Sequence, residues 1–113
     1  MDNLDVGSIV IANLSIGPHP AIVLSTKEEI QADGMVRVVA ISANETIAVA
    51  EDRIEVPPRL GMKKKCFVQC DVTETLPENQ VTFKNRKAWG PFLEQVRKQV
   101  KVAVDRAKKS TQS

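Results

Sequence analysis

A chain of 113 residues and 12.4 kDa has room for one domain with one modest hydrophobic core. At 42% apolar and 27% charged residues it is too apolar for general disorder, and no run approaches the roughly 20 apolar residues that cross a bilayer. The net charge of +2 conceals a gradient of −6 over residues 1–58, +1 over 59–83 and +7 over 84–109. That gradient points to a polyanion or an acidic partner for the C-terminal part or, equally, to a solvated basic helix face.

The opening "MDNLDVGS" is acidic and lacks the basic start and apolar centre of a signal peptide, so a cytoplasmic protein with no membrane association is expected. "SIVIANL" (8–14), rich in β-branched residues and bounded by Gly7 and the turn-like "SIGPHP", predicts the first strand. "PAIVLS" (20–25) is a nearly continuous apolar run, as in a strand covered on both faces. At its mouth stands His19, the only histidine, between Pro18 and Pro20: either a turn residue or a reactive group. "KEEIQADGM" (27–35) is polar, and Asp33-Gly34 offers hairpin-turn chemistry. "MVRVVAIS" (35–42) predicts a third strand, and "ANETIAVAED" is ambiguous. "DRIEV" (52–56) reads as a short edge strand stopped by Pro57-Pro58. "CFVQCDVT" (66–73) is the next strand, followed by a turn at "LPEN" and a short strand "QVTF" (80–83).

The last element has a different period. In "WGPFLEQVRKQVKVAVDRAKK", Pro91 suits a first helical turn with Gly90 as its cap. Phe92, Val96, Val100, Val104 and Ala107, with Leu93 and Ala103 beside them, make one apolar face of a helix over about 91–108. Glu94–Lys98, Lys101–Asp105 and Asp105–Lys109 are opposite-charge pairs at i,i+4 on the other face; Arg97, Lys98, Lys101 and Arg106 lie mostly off the apolar face, as solvated charges or as a binding surface. The apolar face must cover the strands or a partner chain. Trp89 reads as an anchor at the start of this helix in preference to a base-stacking group.

Five or six short strands and one amphipathic helix predict a mainly β fold, a small, strongly curled antiparallel sheet, closed or nearly closed, with a C-terminal α-helix. The domain spans 1–109, with 110–113 as a tail.

Reactive groups are few. Cys66 and Cys70, two pleats apart on one strand face, are separated by roughly 13 Å, too far for a disulfide. No histidine stands at a zinc-ligand spacing from them, so no metal site is expected. No phosphate loop, nucleophile elbow or dinucleotide fingerprint is present, and no cofactor is expected. Alternation places Cys66, Val68, Cys70 and Val72 on one face and Phe67, Gln69, Asp71 and Thr73 on the other. Aspartate is depleted within strands, so Asp71 either accepts hydrogen bonds from a loop or acts as a general base. Lys63, Lys64 and Lys65 form a solvated run by default.

In order, "VGSIVIANL", "HPAIVLS", "VVAIS" and "GMKKKCFVQCDVTETL" resemble the motifs of the PemK/MazF-like toxin family over about residues 6–104. The resemblance implies an SH3-like, partly open barrel with helices, usually a homodimer. It also implies a toxin of a toxin–antitoxin pair that cleaves single-stranded RNA without a metal, by attack of the ribose 2′-hydroxyl on the adjacent phosphodiester. An antitoxin with an acidic tail would occupy the RNA groove.

Carried over residue by residue, His19 stands at the family's catalytic arginine before proline. Ser42 stands near a Thr or Ser that contacts the scissile phosphate, Asp71 at an aspartate that serves some members as base, and Gln69 at an acid-side arginine. The first loop, "SIGPHP", is shorter than the family's glycine-rich one. Neither glutamine nor neutral imidazole replaces the permanently charged fork of arginine. An imidazole, with an ordinary pKa near 6.5, is nevertheless the better proton carrier at neutral pH, and a His19–Asp71 couple would be workable. The sequence therefore supports an endoribonuclease using His19, Ser42 and Asp71, with Gln69 and Lys63–Lys65 in binding. It also supports a non-catalytic member of the fold that binds nucleic acid or an acidic protein segment, and, more weakly, a self-association module.

Overall fold

Runs of valine, isoleucine and alanine organise the chain around a sheet. The structure, a computed structural model, describes residues 4–43, 50–60 and 64–111. Its strands are β1 (Ser8–Leu14), β2 (Gly17–Val23), β3 (Met35–Ser42), β4 (Arg53–Glu55), β5 (Phe67–Pro77) and β6 (Val81–Lys87). They form one six-stranded antiparallel sheet in the order β4-β5-β3-β2-β1-β6. Two α-helices, α1 (Lys27–Asp33) and α2 (Gly90–Thr111), and three short 3-10 helices (Ala50–Asp52, Pro58–Leu60 and Glu78–Gln80) complete the described fold. β4 and β6 are edges, so the sheet curls but does not close.

Both faces of the central strands are buried, which explains the continuous apolar runs of β2 and β3. On the inner face Val10, Ala12, Ala21, Val23, Val38 and Ala40 form a cluster onto which Val72 and Leu76 of β5 and Val81 and Phe83 of β6 fold from either side. On the outer face Ile9, Ile22, Val39, Ile41 and Val68 lie beneath Phe92, Val96 and Val100 of α2. Each such side chain contributes roughly 1.5–3 kcal/mol when fully withdrawn from water.

Several local readings change in the fold. β2 begins at Gly17, and the β1–β2 connection is only Ser15-Ile16, because Leu14 pairs directly with Gly17. His19 therefore lies within a strand and not in a turn. Gly17 takes φ +107°, the left-handed region that closes this tight hairpin. Residues 27–33 form nearly two helical turns instead of leading into a hairpin. Thr26 caps Glu29 N, the Glu29 side chain accepts from Thr26 N, and Gly34 ends the helix at φ +71°. β6 runs to Lys87, longer than the four residues expected.

β5 carries the largest correction. Ala40 pairs with Gln69 but the adjacent Val39 pairs with Thr73, so residues 70–72 bulge out of the ladder. The bulge inverts the alternation: Val68 and Cys70 pack toward α2, while Val72 packs on the inner cluster. An aspartate inside this strand is tolerated because Asp71 sits exposed at the bulge.

The helix covers the sheet. Phe92, Val96, Val100 and Ala103 are buried, Leu93 and Val104 are half-buried, and Ala107 is exposed. Trp89 is 56% exposed, with the Arg59 guanidinium stacked 4.7 Å above its ring; the neighbouring Ala88 fills the buried position at the helix start instead. Glu94 pairs with Arg97 at i,i+3 (3.6 Å), not with Lys98.

Candidate functional site

The register of the sheet assembles a polar row on the inner face, where β2 begins and β3 ends. His19 is the partner of Ala12, a residue of the inner cluster. Ala21 pairs with Ala40, and two residues further along each strand come His19 and Ser42. Ser42 in turn pairs with Phe67, and Ala40 with Gln69. Because paired residues of an antiparallel ladder project to the same side, His19, Ser42, Phe67 and Gln69 share one face. His19 and Ser42 are half-buried; Phe67 and Gln69 are buried. The His19 ring is held locally, Nδ1 lying 3.1 Å from the Gly17 carbonyl oxygen.

β4 adds a residue that sequence reasoning passed over. Arg53 pairs with Gln69 and Glu55 with Phe67, while the intervening Ile54 is buried beneath α2. Arg53 and Glu55 thus face the same side as His19 and Ser42. The Arg53 guanidinium lies 4.8 Å from the centroid of the Phe67 ring, and Lys65 Nζ lies 5.7 Å from it. Lys65 also reaches Glu55 at 3.8 Å, both side chains more than half exposed. The alternation "RIE" reveals which of these residues face together, but not which strand lies beside them. Lys64 is exposed, and Lys63 lies outside the described residues.

Asp71 does not join this row. It is exposed at the bulge, outside the ladder, while a second polar cluster lies on the side of the sheet that α2 covers. There Asp52, fully buried, accepts from Arg106 Nη1 at 2.7 Å, Arg106 Nη2 at 3.1 Å and Gln99 Nε2 at 2.9 Å. The Arg106 hydrogen bonds hold the Asp52 carboxyl below the usual carboxylate range against the opposing effect of burial, and the Gln99 bond and the Arg106 charge add to them. Arg106 is therefore not a spare surface cation. Burial pushes the Cys70 thiol up to about 12, helped by Asp52 and Asp71, so Cys70 is a core residue without nucleophilic character; both cysteines are free. Among the described residues, no group of three or more His, Cys, Asp or Glu is placed to hold a metal ion, and no helix is long and apolar enough to cross a membrane.

Neither a protein-family model nor a curated protein matches the sequence. Solved structures do match the fold. A MazF structure from Deinococcus radiodurans superposes with a TM-score of 0.75 at 19% identity, over 90% of this chain and 96% of that one. The fold is that of the MazF toxins. A chain of a MazE–MazF complex from the same organism matches with a TM-score of 0.71 at 20% identity, over 89% of this chain and 94% of the other. An endoribonuclease in complex with its cognate antitoxin, from a mycobacterial species, matches at 0.71 and 15% identity, over 90% and 95%. At the two positions where the sequence resemblance expects arginine, this chain has His19 and Gln69.

Proposed function

We propose that this protein is the toxin of a toxin–antitoxin pair and that it binds and cleaves single-stranded RNA on the face carrying His19, Ser42 and Gln69. The observation that carries the reading is that strand register brings an imidazole and a hydroxyl onto one face at adjoining strand ends, in a fold shared with MazF toxins. In the proposed reaction the ribose 2′-oxygen bonds to the adjacent phosphorus and the bond to the 5′-oxygen breaks. The products carry a 2′,3′-cyclic phosphate and a 5′-hydroxyl. His19 exchanges a proton with the reacting oxygens, and the Ser42 hydroxyl donates to a non-bridging phosphate oxygen. Gln69 contributes to binding, as do Lys64 and Lys65 with the preceding Lys63. The matched complexes with an antitoxin support an antitoxin as partner, to which this reading adds an acidic segment as the part that binds and a cytoplasmic homodimer as the state of the toxin.

Incubation of the purified protein with a long RNA in EDTA is expected to give discrete fragments with cyclic phosphate ends, absent with His19→Ala. Intact RNA at high protein concentration overturns the cleavage reading.

A non-catalytic binding protein is the second reading, and the placement of Asp71 favours it. Asp71 lies exposed at the bulge, outside the ladder that aligns Ser42 with Phe67, and neither position 19 nor position 69 provides a guanidinium. This reading expects salt-dependent RNA or acidic-peptide binding without turnover.

A further inference from the structure

The MazF-like reading leaves the row short of permanent positive charge, and the fold supplies one from a strand that the motif comparison does not reach. We propose that Arg53 is an RNA-backbone contact of this site, gripping the phosphate next to the one that reacts. The inference rests on the RNA-binding reading above, but not on cleavage.

Three observations carry it. Ile54 is buried against the α2 side, which turns Arg53 to the face of His19 and Ser42. Arg53 is in register with Gln69, and its guanidinium leans over Phe67, the residue paired with Ser42. Phe67 is itself buried and so gives the guanidinium a fixed platform. Stacking uses the flat face of a guanidinium, whereas phosphate recognition uses its in-plane N–H donors, so one arginine serves both contacts.

Geometry also sets the role. Between the backbones of β4 and β2 lie three strand spacings, about 14 Å. With its backbone that far from His19, and with the guanidinium leaning over Phe67, Arg53 is assigned to a phosphate neighbouring the reacting one on an extended strand. Arg53 is therefore a binding and positioning residue, not a proton carrier. Lys65 is the weaker phosphate contact of the pair, since an ammonium lacks the planar fork of a guanidinium.

The test measures affinity for a single-stranded 2′-O-methyl oligoribonucleotide, which cannot react by 2′-hydroxyl attack, across a series of salt concentrations. Arg53→Ala is expected to weaken binding about tenfold and to reduce the slope of log affinity against log salt by about 0.7, the value for one phosphate contact on a single strand. Arg53→Lys is expected to keep the salt slope while losing part of the affinity, because charge is retained and the planar fork is not. Arg59→Ala, which removes the guanidinium stacked on Trp89, is expected to change neither quantity. With a cleavable RNA, Arg53→Ala is expected to raise KM and leave kcat within about threefold, in contrast to a proton-transfer residue. Wild-type affinity and slope in Arg53→Ala, with a matching thermal melt, overturn the assignment, as does an equal loss in Arg59→Ala. Absence of cleavage with intact, Arg53-dependent binding overturns only the catalytic reading. Absence of any RNA binding by the wild type overturns both.

Discussion

The two faces of the central sheet use the same strands to opposite ends. Toward α2, apolar residues meet the helix and a buried carboxylate, Asp52, is met by Arg106 and Gln99. At the open end of the inner face the apolar residues stop, and His19, Ser42 and Arg53 are left half-buried around Phe67 and Gln69. The densest positive charge in the chain lies on α2 and just before it, yet its Arg106 is committed to structure. Charge density along the sequence is therefore a poor guide to the site. Half-burial of chemically mixed side chains at adjoining strand ends is a better one.

The sharpest way to break the helix-covered face is Val100→Asp. It replaces a buried contact with a carboxylate that has no partner, at a cost of about 4 kcal/mol or more, and circular dichroism is expected to show loss of the cooperative melt. The contrasting change on the other face, His19→Ala, is expected to lower the cleavage rate about 10²–10⁴-fold while the melt moves little, because His19 is half-buried and its ring is held by its own hairpin, at the Gly17 carbonyl. An equal loss of stability and activity would erase the distinction between the faces.

Asp52→Asn comes next, with an expected loss of about 1–3 kcal/mol at neutral pH in urea unfolding. Its pH dependence sharpens the assignment. A carboxyl whose folded pKa is depressed contributes its full stability above the ordinary value of 3.8, and that contribution is lost as pH falls through the lowered value. The wild type is thus expected to lose stability more steeply below about pH 4 than Asp52→Asn, and parallel curves would contradict the role of Asp52. The smallest effect belongs to Arg97, Lys98 and Lys101, all exposed: joint replacement by glutamine is expected to stay within about 0.5 kcal/mol in the same assay. Adding Arg106→Gln is expected to exceed that limit, since it strands the Asp52 carboxylate.

Much of the fold is legible residue by residue. β1 and β3 follow from β-branched runs, β4 from "RIE" before two prolines, and the buried side of α2 from Phe92, Val96 and Val100 at helical spacing. The short α1 is also written locally, in Thr26 and Glu29 as a capping box and Gly34 as a C-cap, a pattern easily taken for a hairpin when only Asp33-Gly34 is weighed. Of the site, His19 and Ser42 are visible as strand-end residues, and their order in the chain supports the likeness to MazF.

What local sequence cannot state is adjacency between strands and the places where a ladder breaks. Period-two alternation assigns Asp71 to the face of Gln69, but the bulge opposite Val39 and Ala40 alters that parity, and a bulge depends on how two distant segments meet. Likewise nothing near Arg53 reveals that β4 pairs with β5, and nothing near Asp52 reveals that Arg106, 54 residues away, closes over it. The sequence by itself determined which stretches become strands and helix and which sides of them are apolar, because those depend on spacing within one element. Only the tertiary structure decided that His19, Ser42 and Arg53 share a face, that Asp71 sits in a bulge and that Arg106 belongs to the other face, because those depend on the register between strands and on what α2 buries.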